Sequence, residues 1–244
     1  MAMIATIAAG NSGIGQALIG HLLNTGKAKE IHASFNNTPP PAALRDDSRI
    51  RWTQTNLTSE ADIEAWLGSI DSFDWLVNCA GVLHTTDNGP EKSIREIDPD
   101  FFLHNMRVNC LPSLLLAKHA ATTLRRGKDQ STVKIFATVS AKVGSIEDNR
   151  LGGWHSYRAS KAALNMFLKN LSIEWQRQMP WVCVASLHPG TTDTALSKPF
   201  QKNVPADSLF DSDYTASRLI DILSSLSPEQ SGRFWAWDGS ELPW

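Results

Sequence analysis

A chain of 244 residues, 42% hydrophobic and 20% charged, has the composition of an ordinary folded protein and is long enough to bury a sizeable core. Its formal net charge of −2 gives no electrostatic reason to expect nucleic acid or an anionic membrane as partner. Three widely spaced cysteines, Cys79, Cys110 and Cys183, form neither a disulfide framework nor a metal-ligand pair, so no metal site is expected and a reducing, cytoplasmic setting is.

Residues 1–10 are apolar, have no basic residue before them and run straight into glycine-rich sequence; they read as a strand, not a signal peptide. No apolar run reaches membrane-spanning length. After the strand (3–9) and the turn 10–15, Ala17, Leu18, Leu22 and Leu23 recur at helical spacing, with Gly26 as a stop. A second apolar run (30–35) ends in a polar, proline-rich turn (36–41). The pattern then predicts a strand over 49–57, an amphipathic helix over 60–70 and a strand over 73–81. A loop around 84–92 leads into one long helical stretch from about 99 to 125. A strand (132–140), a long helix (156–178) and a strand (181–190) follow. Beyond a mixed loop come a helix (213–226) and a final strand (232–239). Alternation through the whole length predicts an α/β fold. The expected form is a single-domain (1–244) Rossmann-type doubly wound, mainly parallel sheet with helices on both faces.

Gly10, Gly13 and Gly15 share the first strand–helix turn with Asn11, Ser12 and Ile14. Glycine there lets the chain turn tightly and lets helix N-terminal N–H groups approach a pyrophosphate. Many such turns hold no ligand, but this one has the strand before it and the helix after it that a dinucleotide site needs. Ser140 ends the fifth strand, and Tyr157 and Lys161 stand four residues apart on one helix face. Reactants in parallel-sheet enzymes lie beyond the carboxyl ends of strands, where these three can converge. Singly, Ser140 reads as a cap, Tyr157 as a core aromatic and Lys161 as a solvated charge. Together they can serve proton transfer to a substrate oxygen. Ser140 polarises the oxygen and Tyr157 donates the proton. Lys161 favours the phenolate, lowering a phenol pKa of about 10 towards neutrality.

These motifs resemble the short-chain dehydrogenase/reductase family over essentially the full chain. The turn resembles that family's Gly-x-x-x-Gly-x-Gly, with Ala9 in place of the first glycine. Asn78-Cys79-Ala80-Gly81 resembles Asn-Asn-Ala-Gly, with Cys79 read as a small buried residue. Asn109, Ser140, Tyr157 and Lys161 match the family's catalytic set. The resemblance implies that Asn109 positions a proton-relay water and that Lys161 also holds the nicotinamide ribose; a solvated helix position is the plain alternative for Asn109. It places Asn56 and Leu57 near the adenine, and Asn78, Ala80 and Gly81 along the cofactor. It places Pro189 and Gly190 beside the nicotinamide, with Thr191, Thr192 and Thr194 on its carboxamide or the phosphates. His188 reads as a structural loop residue.

The second strand ends Ser34-Phe35-Asn36-Asn37, without the carboxylate that accepts from a ribose 2′-OH in NAD-preferring members. Ser34, Asn36 and Asn37 can instead donate to a 2′-phosphate. NADP(H) is therefore favoured, with NAD(H) as the alternative. The stretches 144–165 and 232–244 resemble the bacterial C-factor-like branch, which is similar to the insect carbonyl reductases called sniffer. That implies a homo-oligomer, dimer or tetramer, acting on a small-molecule carbonyl or alcohol. The alternative is a cofactor-binding signalling or interaction protein with little turnover. A sugar epimerase or dehydratase normally adds a C-terminal substrate domain for which this chain has no room. Candidate substrate walls are Val143, Gly144, Trp154, Phe200 and Phe210, with 191–210 as a lid.

Overall fold

Residues 3–126 and 133–244 are described by a computed structural model. In chain order the elements are β1 (Met3–Ala8), α1 (Gly13–Asn24), β2 (Ala28–Phe35), α2 (Ala42–Arg45), β3 (Ile50–Gln54), α3 (Glu60–Gly68) and β4 (Trp75–Asn78). Then come α4 (Pro99–Asn109), α5 (Leu111–Arg126), β5 (Lys134–Val139), α6 (His155–Gln178), β6 (Val182–His188) and β7 (Thr191–Thr192). The chain ends with β8 (Leu209–Phe210), α7 (Ser212–Ser225) and β9 (Arg233–Ala236).

Seven strands form one parallel sheet in the order β3-β2-β1-β4-β5-β6-β9. The strand order reverses between β1 and β4, which opens a crevice at their carboxyl ends. Side chains alternate between two cores. On one face Ile7, Val77, Ala137 and Leu187 pack against α1 and α7. On the other, Leu76, Phe136 and Val184 pack against α3, α5 and α6. With both faces covered, the inner strands are buried almost end to end and mostly apolar, in keeping with the apolar runs in the sequence.

The helical stretch expected over 99–125 is two helices. Asn109 ends α4, and Cys110 (φ −108°, ψ −54°) separates it from α5. Pro112 supplies the reason: its ring excludes the backbone bond that would carry one helix through this point. The loop expected at 191–210 pairs with itself through the parallel β7 and β8, so its two ends are tied together. Among the described residues no helix is long and apolar enough to cross a membrane. Among them, too, no group of three or more His, Cys, Asp or Glu is placed to hold a metal ion.

Candidate active site

A cavity of about 710 Å³ lies along the carboxyl ends of β1, β4, β5 and β6. Fourteen of the expected catalytic and cofactor-binding residues line it: Asn11, Ser12, Gly13, Ile14, Ala80, Gly81, Ser140, Tyr157, Lys161, Pro189, Gly190, Thr191, Thr192 and Thr194. The Gly-rich turn forms one end. Ser12 caps α1 by accepting from Gly15 N at 3.1 Å, leaving the first-turn amides of Gly13 and Ile14 without intrahelical partners. A Cβ on Gly13 would stand 2.6 Å from the Thr194 methyl, so glycine keeps this end of the cavity open. Gly10 and Gly15 serve packing instead. A Cβ on Gly15 would lie 2.5 Å from the Ala9 carbonyl oxygen, and one on Gly10 would meet Ala33, Ile19 and Trp52.

The other expected residues sit behind the wall. Asn78 is buried, donates to Ser113 Oγ at 2.9 Å and accepts from Ala80 N at 3.0 Å, which fixes the turn after β4. Asn109 is buried too. Its Oδ1 accepts from Val82 N at 2.7 Å, and its Nδ2 donates to Val82 O at 2.9 Å and Ser160 Oγ at 2.9 Å. Both ends of that amide are spent on protein, and it does not touch the cavity. Asn56 Oδ1 accepts from Thr58, and Leu57 is buried in the α3–α5–α6 core. Asn36 and Asn37 are exposed just past β2, where Asn11 Nδ2 donates to Thr38 O at 2.8 Å and draws that turn beside the Gly-rich loop. Ser34, expected to donate to a 2′-phosphate, is fully buried and accepts from Ala9 N at 3.0 Å. It braces the turn and cannot reach a ligand. Phe210 packs against Gly190 and Trp237, and Gly144 packs against Lys161, so neither is a cavity wall.

Tyr157 and Lys161 project from the first turns of α6 into the cavity, with the ammonium 5.8 Å from the phenol ring centroid. Lys161 Nζ donates to the Val139 carbonyl at 3.0 Å. Burial pushes the ammonium down to about 8. Burial also pushes the Tyr157 phenol above its usual range. Burial alone shifts the phenol here, so the fall expected from Lys161 is not seen. His188 accepts from Lys142 N at 3.2 Å, and burial holds it down at about 4, so it is a neutral structural residue.

Two contributors escaped the sequence. The N-terminus of α6 follows three residues with left-handed backbone, Gly152 (φ 64°), Gly153 (φ 64°) and Trp154 (φ 52°). That conformation costs a tryptophan about 1–2 kcal/mol. It is held by Glu91, whose carbonyl accepts from Trp154 N and whose carboxylate accepts from Ser156 N at 3.1 Å. Arg158 adds bonds to the carbonyls of Gly152, Gly153 and Val143. The turn presents the Trp154 ring to the cavity, 6.3 Å from Tyr157 and 5.5 Å from Phe200. No local signal marks Glu91, which lies 65 residues from the helix it caps. The second contributor is Asn165, eight residues after Tyr157 on the same face of α6. Its Oδ1 accepts from Ser140 Oγ at 2.7 Å and from Ser186 Oγ at 3.0 Å.

The short chain dehydrogenase family model matches residues 3–205. The chain is 31% identical over 171 residues to a Myxococcus xanthus protein named C-signal, covering 70% of this chain and 92% of that one. The structure of the carbonyl reductase Sniffer of D. melanogaster superposes with a TM-score of 0.88 at 23% identity, over 100% of both chains. That of an NADPH-bound carbonyl reductase from chicken fatty liver gives 0.84 at 22% identity, over 100% of this chain and 94% of that one. On these matches and its own motifs, the chain belongs to the short-chain dehydrogenases, a family of NAD(P)-dependent oxidoreductases, on its C-factor-like branch.

Proposed function

We propose that the protein is an NADP(H)-dependent oxidoreductase that interconverts a carbonyl and an alcohol, with Tyr157 as the general acid and base. The observation that carries this reading is the convergence of Ser140, Tyr157 and Lys161 on the cavity headed by the Gly13 and Ile14 amides. The cavity suits a dinucleotide on two counts: a helix N-terminus faces it, and a Cβ at Gly13 would narrow that end. Ser12, Gly13 and Ile14 would hold the pyrophosphate, and Gly190 to Thr194 the nicotinamide half. The bound nicotinamide supplies or receives the hydride. NADP(H) is favoured over NAD(H) because Asn36, Asn37 and the bound-down Thr38 turn put no carboxylate where a 2′-phosphate would sit. The NADPH-bound reductase shares this fold.

In this reading the chain's own groups manage the proton. Burial keeps the phenol of Tyr157 protonated at neutral pH, ready to donate to a carbonyl oxygen. The reverse transfer, from an alcohol to phenolate, then needs Lys161 charged and close. Asn109 holds Val82 and the Ser160–Tyr157 turn in place, acting through them and not on substrate. Trp154, Phe200 and His84 make the outer wall apolar and aromatic, which fits a substrate with an uncharged body.

We further propose that residues 1–244 work as one cytoplasmic unit. Leu103 on α4 and Met166 and Ile173 on α6 expose apolar side chains, which supports pairing into a homo-oligomer through those helices.

Similarity to C-signal favours a second reading, a nucleotide-binding signalling protein with little turnover. The intact phenol–ammonium pair weighs against it. A panel of aldehydes and ketones, followed by NADPH absorbance, decides between them. The oxidoreductase reading expects turnover that drops by about 10²–10⁴-fold in Tyr157→Phe with NADPH affinity kept. Binding without turnover across the panel supports the second reading, and undiminished turnover in Tyr157→Phe removes Tyr157 from the mechanism.

A further inference from the structure

Asn165 is 3% exposed and lies between Ser140, just past β5, and Ser186 within β6. Its amide oxygen takes both serine hydrogens, while its amide nitrogen is buried without a hydrogen-bond partner. An orphaned buried N–H group is unfavourable, and only the Ser186 hydroxyl, with no other acceptor, favours this orientation of the amide. A half-turn about the Cβ–Cγ bond exchanges its ends. Two O–H···O bonds become two N–H···O bonds to the same hydroxyls, so the number of bonds is conserved. The orphan passes from nitrogen to oxygen, and the buried Ser186 hydrogen loses its acceptor, a cost that the new Ser140 bond to a carbonyl offsets.

What does change is Ser140. With the Asn165 oxygen towards it, the Ser140 hydrogen is spent and only lone pairs face the cavity. That state accepts from an alcohol. With the nitrogen towards it, Ser140 keeps its hydrogen and can donate to a carbonyl. We propose that Asn165 is a positioning residue whose amide sets the hydrogen-bond polarity of Ser140, oxygen-first for the alcohol and nitrogen-first for the carbonyl. A residue serving a reversible reaction needs both polarities, and a side chain with a donor at one end and an acceptor at the other provides them. The inference rests on the reading of Ser140 as the group that faces the reacting oxygen.

The test compares Asn165→Asp with the unaltered protein at pH 8. An ionised carboxylate accepts only, so it fixes Ser140 in the alcohol-binding state. Dissociation constants are measured by NMR for acetophenone and for 1-phenylethanol on the nucleotide-free protein. The ketone-to-alcohol ratio should rise about tenfold, the scale of one hydrogen bond. In a Ser140→Ala background the same substitution should leave the ratio unchanged. A ratio that does not move, or that moves equally without Ser140, overturns the role of Asn165 and leaves the oxidoreductase reading standing. If the unaltered protein binds neither probe and reduces no carbonyl, the oxidoreductase reading itself falls and takes this role with it. Should Asn165→Asp not fold, protein labelled with ¹⁵N-asparagine carries the test. The Asn165 side-chain signals, identified by their loss in Asn165→Ala, should move with acetophenone and stay with 1-phenylethanol. The same response to both probes overturns the proposal.

Discussion

The carboxylate of Glu91 accepts from the backbone N–H of Ser156 at 3.1 Å and also from the Ser156 hydroxyl, at the start of the helix that carries Tyr157 and Lys161. The residue in the cap position, Trp154, has no side-chain bond to offer, so the distant carboxylate does the capping. An anion at a helix N-terminus is also favoured by the helix dipole. Glu91→Ala should therefore lower unfolding free energy by about 2–3 kcal/mol, since it removes two charge-assisted bonds at a buried site. Urea melts measure this. Turnover should fall as well, because Trp154 and Tyr157 lose their fixed origin, and Glu91→Gln should recover part of both. A melt unchanged in Glu91→Ala would show that the cap is dispensable.

The Gly-rich turn separates into two jobs that substitution can distinguish. Gly15→Ala drives a methyl to 2.5 Å from the Ala9 carbonyl and 2.9 Å from Gly10, both backbone, which cannot yield cheaply. It should cost about 2 kcal/mol of stability or more. Gly13→Ala meets the Thr194 side chain, which can turn away. It should fold with a loss of under about 1 kcal/mol but bind NADPH about tenfold more weakly. Paired melts and fluorescence titrations give both numbers. Equal stability losses in the two variants would contradict the division.

The parts of this fold that were legible in the sequence are those whose causes are local. Apolar runs bounded by glycine gave the strands, and the helical period put Tyr157 and Lys161 on one face. The break at Cys110 has a local cause too, Pro112, but apolar residues recur at helical spacing on both sides of it and mask the signal. Ser34 is a different case: near the end of β2 it and its neighbour Ala33 are both fully buried, and neither residue type tells a bracing serine from one that faces a ligand. Glu91 and the Ser140–Asn165–Ser186 group were out of reach, since only the folded chain brings them together. Asn165 could be placed on the face of Tyr157, but not against the hydroxyls of Ser140 and Ser186.

Cys79 stands in the family motif at the cavity edge, where a reactive thiol would be of interest. Burial pushes it up to about 12, and the Lys161 ammonium only partly opposes that. Cys183 is also held at about 12, and Cys110 is raised by burial. The thiolate is the nucleophile, so all three cysteines should resist a thiol-specific chromogenic disulfide reagent in the native state at pH 8 and react in guanidinium chloride. Rapid labelling of the folded protein would mean that Cys79 is far more ionised than its surroundings allow.

Lys161 gives a prediction about stability with a definite sign. Its ammonium falls from 10.5 to about 8 on folding because burial disfavours the charge. Between those values the unfolded chain holds a proton that the folded chain does not, so stability contributed by this group rises with pH across that window. Below about 8 both states are charged, and the full burial penalty, roughly 3 kcal/mol for this shift, is present. Lys161→Met removes that penalty but orphans the Val139 carbonyl, at about 1 kcal/mol. The variant should thus be more stable than the parent by about 2 kcal/mol at pH 7 while losing turnover. The gain should shrink as pH climbs from 8 to 10 and reverse by about 1 kcal/mol near 10.5. Tyr157 complicates only the alkaline end: its raised pKa makes stability fall with pH above 10, where the unfolded phenol ionises first. Urea melts of both proteins at pH 7, 8, 9 and 10 give the difference directly. A Lys161→Met protein less stable than its parent at pH 7 would mean that the charge is welcome where it sits, and that the cavity is more polar than its lining indicates.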